Sequence, residues 1–215
     1  MSSNDEPVSF LQPTAKSFEP AISRTIVFVR HGQYIREPAE QLTILGAEQA
    51  RLTATALEDL EIHKMFSSTM PRAKQTASII SKKLGLSCSA NDLYCEASLP
   101  APPFFFKGDW IPDRSRKGIA ALKKRMEVNK VRADEAFDTL FKQPNKGQSV
   151  HLVVAHGNII AYWVGRALKM NPLNWLNLEI QQCSITTLRV DDSARIKLLG
   201  FSEVGHIPRS KRSYM

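Results

Sequence analysis

The sequence predicts an α/β fold, a three-layer sandwich in which a mostly parallel sheet lies between helices on both faces. Three observations predict it. The runs "TIVFV" (25–29) and "SVHLVVAH" (149–156) are rich in β-branched residues and read as buried strands. Helix-periodic segments separate the strand signals, and strands alternating with helices imply parallel strands joined by crossovers. The chain has 215 residues and 43% hydrophobic content, enough for one core without disulfides or metal.

Each element follows in order. Residues 1–23 are polar and proline-dotted and read as a flexible arm; the domain runs over 24–207, and 208–215 form a basic tail. After the strand at 25–29 a loop leads to about Leu42. Apolar residues at near-helical spacing predict a helix over 43–60, with Thr43 as its N-cap and Gly46 awkwardly early in the first turn. "KMFSS" (64–68) is a short strand. Residues 71–85 form a helix opened by Pro71 and stopped by Gly85. Residues 91–117 are Pro/Phe-rich and read as an excursion, with the Phe104–Phe106 run expected to be core beneath it rather than the alternative, a docking patch. Helix returns over 118–141, strand over 149–156 and helix over 158–168. Late strands at 184–190 and 195–201 flank an Asp-Asp-Ser turn.

Composition narrows the function. A net charge of +8 favours anionic partners. Cys88, Cys95 and Cys183 form no C-x-x-C pair, so neither a disulfide framework nor a structural zinc site is expected. With no secretory segment and no membrane-length apolar run, the chain reads as intracellular and soluble. No G-x-G-x-x-G follows the first strand, which argues against a dinucleotide enzyme. Arg209, Lys211 and Arg212 read as a solvated end rather than a nucleic-acid site.

The chemistry lies where two strands stop. One ends Val29-Arg30-His31-Gly32 and the other Val154-Ala155-His156-Gly157. Carboxyl ends of parallel strands line the binding crevice of open α/β sheets, so neighbouring strands would bring both histidines to one pocket. Glycine permits close backbone approach, and the helix start after Gly157 favours an anion. Arg72, in the first turn after "MFSS", adds a second guanidinium. Each residue alone has a structural explanation; together, two arginines and two histidines suit a phosphoryl group. A nucleophilic imidazole also needs an acceptor for its other N–H, expected to be a carbonyl near Gly32.

The segments "VRHGQ" (29–33), "LTILGAEQA" (42–50), "SSTMPRAKQTA" (67–77), "LYCEA" (93–97) and "VVAHGNII" (153–160) resemble the histidine phosphatase superfamily, in its phosphoglycerate-mutase-like branch. "ALKMNPLNWLNLEIQQCSITTLRV" and "LLGFSEVGHIP" are most similar to mitochondrial Ser/Thr protein phosphatases within it. The resemblance implies His31 as nucleophile, Arg30, Arg72 and His156 as phosphate ligands, and Glu96 as proton donor. Gly32, Gln33, Gly157 and Asn158 would complete substrate binding. It implies no metal and no cofactor, a phosphorylated protein as partner, and leaves a homodimer open. Two positions depart from the family pattern: Cys95 and Ala97 stand where Arg and Gly are frequent. No targeting segment, anchor or multimerisation motif is legible in 1–23. A phosphoglycerate mutase or small-molecule phosphatase is the first alternative, and a catalytically weak interaction module of the same fold the second.

Overall fold

A computed structural model describes residues 22–37, 40–109 and 111–213. The arm expected over 1–23 lies outside them except for its last two residues, and Ser23 already opens the first strand, β1 (Ser23–Arg30). There follow α1 (Ile44–Ala56), β2 (Lys64–Ser67), α2 (Pro71–Leu84), β3 (Cys88–Ala90), α3 (Arg116–Leu140), β4 (Gln148–Ala155), α4 (Gly157–Ala167), β5 (Ile185–Asp191) and β6 (Ile196–Glu203). They form one sheet in the order β3-β2-β4-β1-β5-β6. The first four strands run parallel; β5 is antiparallel to β1, and β6 to β5.

Alternation along the central strands makes the layers. Ile26 and Phe28 of β1, with Val153 and Ala155 of β4, pack among the buried residues of α3 and α4. Val27, Val29, Leu152 and Val154 face the other way, onto α1 and α2. Phe28 meets Trp163 of α4 with ring centroids 5.2 Å apart, and both side chains are fully buried. Each such side chain contributes roughly 1.5–3 kcal/mol by leaving water.

The caps behave as their residues dictate. Thr43 Oγ1 accepts the Gly46 N–H at 2.9 Å, and Gly85 closes α2 in the left-handed region at φ 67°. Gly46 sits early in α1 for a packing reason: a Cβ there would stand 1.9 Å from the Gln33 carbonyl oxygen. Strand β3 was not legible in the sequence, having three residues and one neighbour, β2.

Two expectations are corrected. The Phe104–Phe106 run is not core. It lies on a 3-10 turn (Pro103–Lys107), where Phe104 is 62% exposed and Phe105 and Phe106 are half-buried against one another, centroids 5.5 Å apart. Nor is the basic tail wholly a solvated end: Arg209 is exposed, but Lys211 and Arg212 are held. Gln49 Nε2 donates to Lys211 O and Ser213 Oγ, both at 2.7 Å, and Lys211 Nζ pairs with Glu48 at 2.5 Å. Two side chains of α1, Gln49 as donor and Glu48 as acceptor, hold the tail where its charge alone suggested water.

Candidate active site

The parallel register of β1 and β4 sets Arg30 opposite Ala155, so the next residues, His31 and His156, emerge side by side. His31 N–H continues the ladder to Ala155 O at 3.0 Å, and Ser68 N–H, beyond β2, bonds Val154 O at 2.9 Å. Three strand ends thus deliver His31, His156 and Ser68 to one crest. The imidazole centroids of His31 and His156 are 5.0 Å apart, and both side chains are buried.

His31 is oriented through both ring nitrogens. Nδ1 lies 2.8 Å from Gly32 O, and that contact places its proton there. Nε2 keeps its lone pair, to which Arg72 Nε–H donates at 3.1 Å. Burial pushes His31 down to about 3, reinforced by the charges of Arg30 and Arg72 and opposed by the Gly32 bond. The ring is therefore neutral at pH 7. Gly32 is confined: its N–H bonds Thr76 Oγ1 at 3.1 Å, and a Cβ there would lie 2.5 Å from Gly46 O. Gln33 anchors the same loop to α1: its N–H bonds Gln49 Oε1 at 2.9 Å, and its own Oε1 accepts Thr43 Oγ1–H at 2.8 Å.

Arg72, in the first turn of α2, is almost fully buried. Besides His31 it binds Glu40 Oε2 through Nη1 at 2.5 Å, and it stacks 4.5 Å over the Tyr34 ring. Arg30 donates Nη1 to Ile180 O at 2.5 Å, leaving Nε buried and unpartnered. Gly157 makes room for that guanidinium, since a Cβ there would stand 3.3 Å from Arg30 Cζ.

His156 is held by Ser68, whose Oγ lies 2.8 Å from Nε2, while Nδ1 is buried without a partner in the protein. Burial, the His31 ring and the nearby arginines hold His156 well below its usual value, so it too is neutral. A buried ring nitrogen without a protein partner, beside two guanidiniums, is open to a ligand or a water.

Glu96 comes to the same place from the loop after β3. Its Oε1 accepts the N–H groups of Ala97 at 3.1 Å and Ile159 at 3.3 Å, and its Oε2 accepts that of Asn158 at 3.3 Å. The start of α4 therefore is an anion site, occupied here by a carboxylate of the chain itself. Burial raises Glu96 above the usual carboxylate range; the backbone bonds and the two arginines oppose the rise. Arg132, from α3, donates Nη2 to the carbonyls of Cys95 and Glu96, both at 3.3 Å.

His31, Arg30, Arg72, His156 and Glu96 thus converge, with Gly32, Gly157 and Asn158 supplying backbone around them. Sequence reasoning missed Tyr34, Glu40, Ser68, Thr76 and Arg132. Ser68 and Thr76 lie inside the "SSTMPRAKQTA" segment, but only the fold shows that they bond His156 and Gly32. Glu40 and Arg132 gave no sequence signal.

Comparison with known proteins gives the family and the fold. The family model for the histidine phosphatase superfamily (branch 1) matches residues 26–100 and 107–201. The mitochondrial serine/threonine-protein phosphatase Pgam5 of Caenorhabditis elegans is 31% identical over 199 residues, 89% of this chain and 67% of that protein. The protein of the same name from Drosophila ananassae is 32% identical over 201 residues, 88% of this chain and 66% of that one. The chain thus spans about two thirds of the length of these relatives. Among solved structures, phosphoglycerate mutase from Plasmodium falciparum superposes with TM-score 0.58 at 25% identity, covering 90% of this chain and 99% of its own. A putative alpha-ribazole-5'-P phosphatase from Escherichia coli shares the fold, with TM-score 0.65, 17% identity and coverage of 85% and 98%. The family match extends across both histidine-bearing strand ends and the Arg72 and Glu96 segments between them, and the chain belongs to the histidine phosphatase superfamily, branch 1.

Proposed function

We propose that the protein is a phosphatase that hydrolyses phosphoserine and phosphothreonine on proteins through a phosphohistidine at His31. One observation carries the reading. The His31 ring is neutral, with Nδ1 pinned on Gly32 O and the Nε2 lone pair set between Arg72 and a second buried histidine.

The phosphoryl oxygens replace the internal partners of Arg72 and Arg30 and meet the unpaired His156 nitrogen. Nε2 attacks phosphorus as the bond to the serine or threonine oxygen breaks. Little covalent work is asked of the protein; positioning and cationic stabilisation of the equatorial oxygens do most of it. An alkoxide leaves poorly, and Glu96 gives its proton to the departing oxygen. Its burial favours the protonated form, and an arriving phosphate dianion strengthens that preference. The resulting carboxylate then takes a proton from the water that attacks phosphohistidine, which regenerates the imidazole and releases phosphate.

Protein substrates are supported by the 31–34% identity to the proteins named serine/threonine phosphatases. The mitochondrial names of those relatives support a mitochondrial association. No helix among the described residues is long and apolar enough to cross a membrane.

The test has two arms. Enzyme quenched in alkaline denaturant is probed for base-stable, acid-labile phosphate, which is expected in the native protein and absent from His31→Ala. Turnover is then compared for a phosphothreonine peptide, 3-phosphoglycerate and p-nitrophenyl phosphate. An active His31→Ala protein overturns the nucleophile, and efficient turnover of 3-phosphoglycerate without peptide hydrolysis overturns the substrate class.

A further inference from the structure

The first half of α3 and the excursion before it form a surface that the chemistry above does not use. Between Lys107 and Glu127 the chain carries seven Lys and Arg against three Asp and Glu. Of the residues from Arg116 to Val128, only Met126 is buried. The basic side chains Arg116, Lys117, Lys123, Lys124 and Arg125 are exposed. Lys123 lies 4.9 Å over the Phe106 ring, and Arg125 makes no ion pair with a described residue. Alongside runs a groove of about 620 Å³, with Phe105, Ile111 and Leu122 on its apolar side and Ser98 and Arg125 at its polar edge. Its one carboxylate, Asp113, is already bonded to the Ser115 N–H at 2.9 Å.

Ser98 places one edge of this groove near the catalytic crest. Ser98 lies two residues beyond Glu96, at most about 7 Å along the chain. Asn129 of α3 donates Nδ2 to Ser98 O at 2.9 Å, and Arg132, on the same helix face, holds Glu96 O. Arg125 precedes Asn129 by four residues, about 6 Å along the helix. An extended peptide advances about 3.3 Å per residue, so a chain leaving the phosphate reaches Arg125 after roughly three or four residues.

We propose that this groove binds the substrate segment next to the phosphorylated residue, selecting an acidic side chain about three positions away for Arg125 and an apolar one for the Phe105–Leu122 wall. The proposal rests on the reading of the protein as a protein phosphatase. Charge complementarity decides the occupant: a surface this basic repels basic segments and attracts acidic ones, most strongly at low salt.

Phosphothreonine peptides with Asp or Ala at the third position on either side are compared in the native protein and in Arg125→Glu, with p-nitrophenyl phosphate as the reference. In the native protein, Asp on one side should raise kcat/KM at least fivefold, through KM, and lose that advantage as salt rises. In Arg125→Glu, the ratio of acidic-peptide to p-nitrophenyl phosphate turnover should fall at least tenfold. An unchanged ratio, or no preference for Asp, overturns the proposal. Failure to hydrolyse any peptide while p-nitrophenyl phosphate is turned over would sink the protein-phosphatase reading instead. The groove is then judged by fluorescence anisotropy of the labelled acidic peptide on His31→Ala, and equal affinity with and without Arg125→Glu overturns it. Sedimentation with vesicles containing phosphatidylserine, lost in Arg125→Glu while no peptide preference exists, would assign the surface to membranes and also overturn it.

Discussion

Ser68→Ala isolates the contact that sets the proton on His156. Ser68 Oγ accepts the Met70 N–H at 3.1 Å and lies 2.8 Å from His156 Nε2 and 3.3 Å from Cys95 Sγ, the weaker acceptor of the two. The other ring nitrogen, Nδ1, is buried and free of protein partners, so it is the one left for a ligand. A neutral imidazole binds an anion only through the nitrogen that carries its proton. Nδ1 must then be the donor and Nε2 the acceptor, and the Ser68 hydroxyl must donate to Nε2. Alanine removes that donor, leaving Nε2 free to take the proton and Nδ1 to offer a lone pair to the phosphoryl oxygens. Leaving a buried polar group unmatched costs about 1–3 kcal/mol. At about 1.4 kcal/mol per decade, kcat/KM should fall roughly 5- to 150-fold. Steady-state kinetics with p-nitrophenyl phosphate measure the fall, histidine side-chain 15N spectra report the tautomer, and Ser68→Thr, which keeps the hydroxyl, should recover most activity. A Ser68→Ala protein within twofold of native, or native spectra with the His156 proton on Nε2, would refute the reasoning.

Glu96→Gln should slow phosphothreonine-peptide hydrolysis by about 10²–10⁴-fold, since an alkoxide leaving group needs the acid. p-Nitrophenyl phosphate, whose leaving group needs no proton, should instead give a burst of nitrophenol and then stall at phosphohistidine; equal slowing with no burst would exclude Glu96 as acid and base. Glu40→Gln frees Arg72 from a half-exposed ion pair worth about 1 kcal/mol, so the inhibition constant for inorganic phosphate should drop about fivefold, and an unchanged constant would show that Glu40 does not compete. His31 falls from its ordinary 6.5 to about 3 on folding, so the unfolded chain binds the extra proton between those values. Stability is therefore lost as pH falls from about 6.5 toward 3, by at most about 5 kcal/mol from this group. Urea titrations of His31→Asn should show a shallower acid slope than the native protein, and identical slopes would refute the assignment.

What could be read in advance depended on how locally each feature is determined. β1 and β4 announce themselves because residues 26–29 of the one and 152–155 of the other are apolar without interruption and buried on both faces. The αL stop at Gly85 and the Thr43 cap follow from single residue types. The parallel pairing that joins His31 to His156 was an inference about topology, and the register of Arg30 with Ala155 bears it out. By contrast, the environment of Phe104 and the docking of Lys211 are decided by distant partners. Hydrophobic run and charge run gave the wrong answer there, because each was read without its neighbours. Ser68 and Glu40 belong with them: a serine after a strand and a glutamate in a loop acquire meaning only from what the fold sets opposite.

The most consequential of these distant partnerships is electrostatic. Both cationic features of the crest are engaged by the chain's own anions, Arg72 by Glu40 and the start of α4 by Glu96. Buried guanidiniums without counter-charge would be expensive to maintain, and these carboxylates lower that cost in the free protein. Phosphate binding is then an exchange of anions rather than a simple addition, and its affinity measures a difference. The two carboxylates are not equivalent in that exchange. Glu40 is half-exposed and would gain solvent when displaced, whereas Glu96 sits on backbone donors, where burial and an incoming phosphate would both favour its protonated form. Under the proposed mechanism one leaves and the other changes state, so only the second would take part in the chemistry.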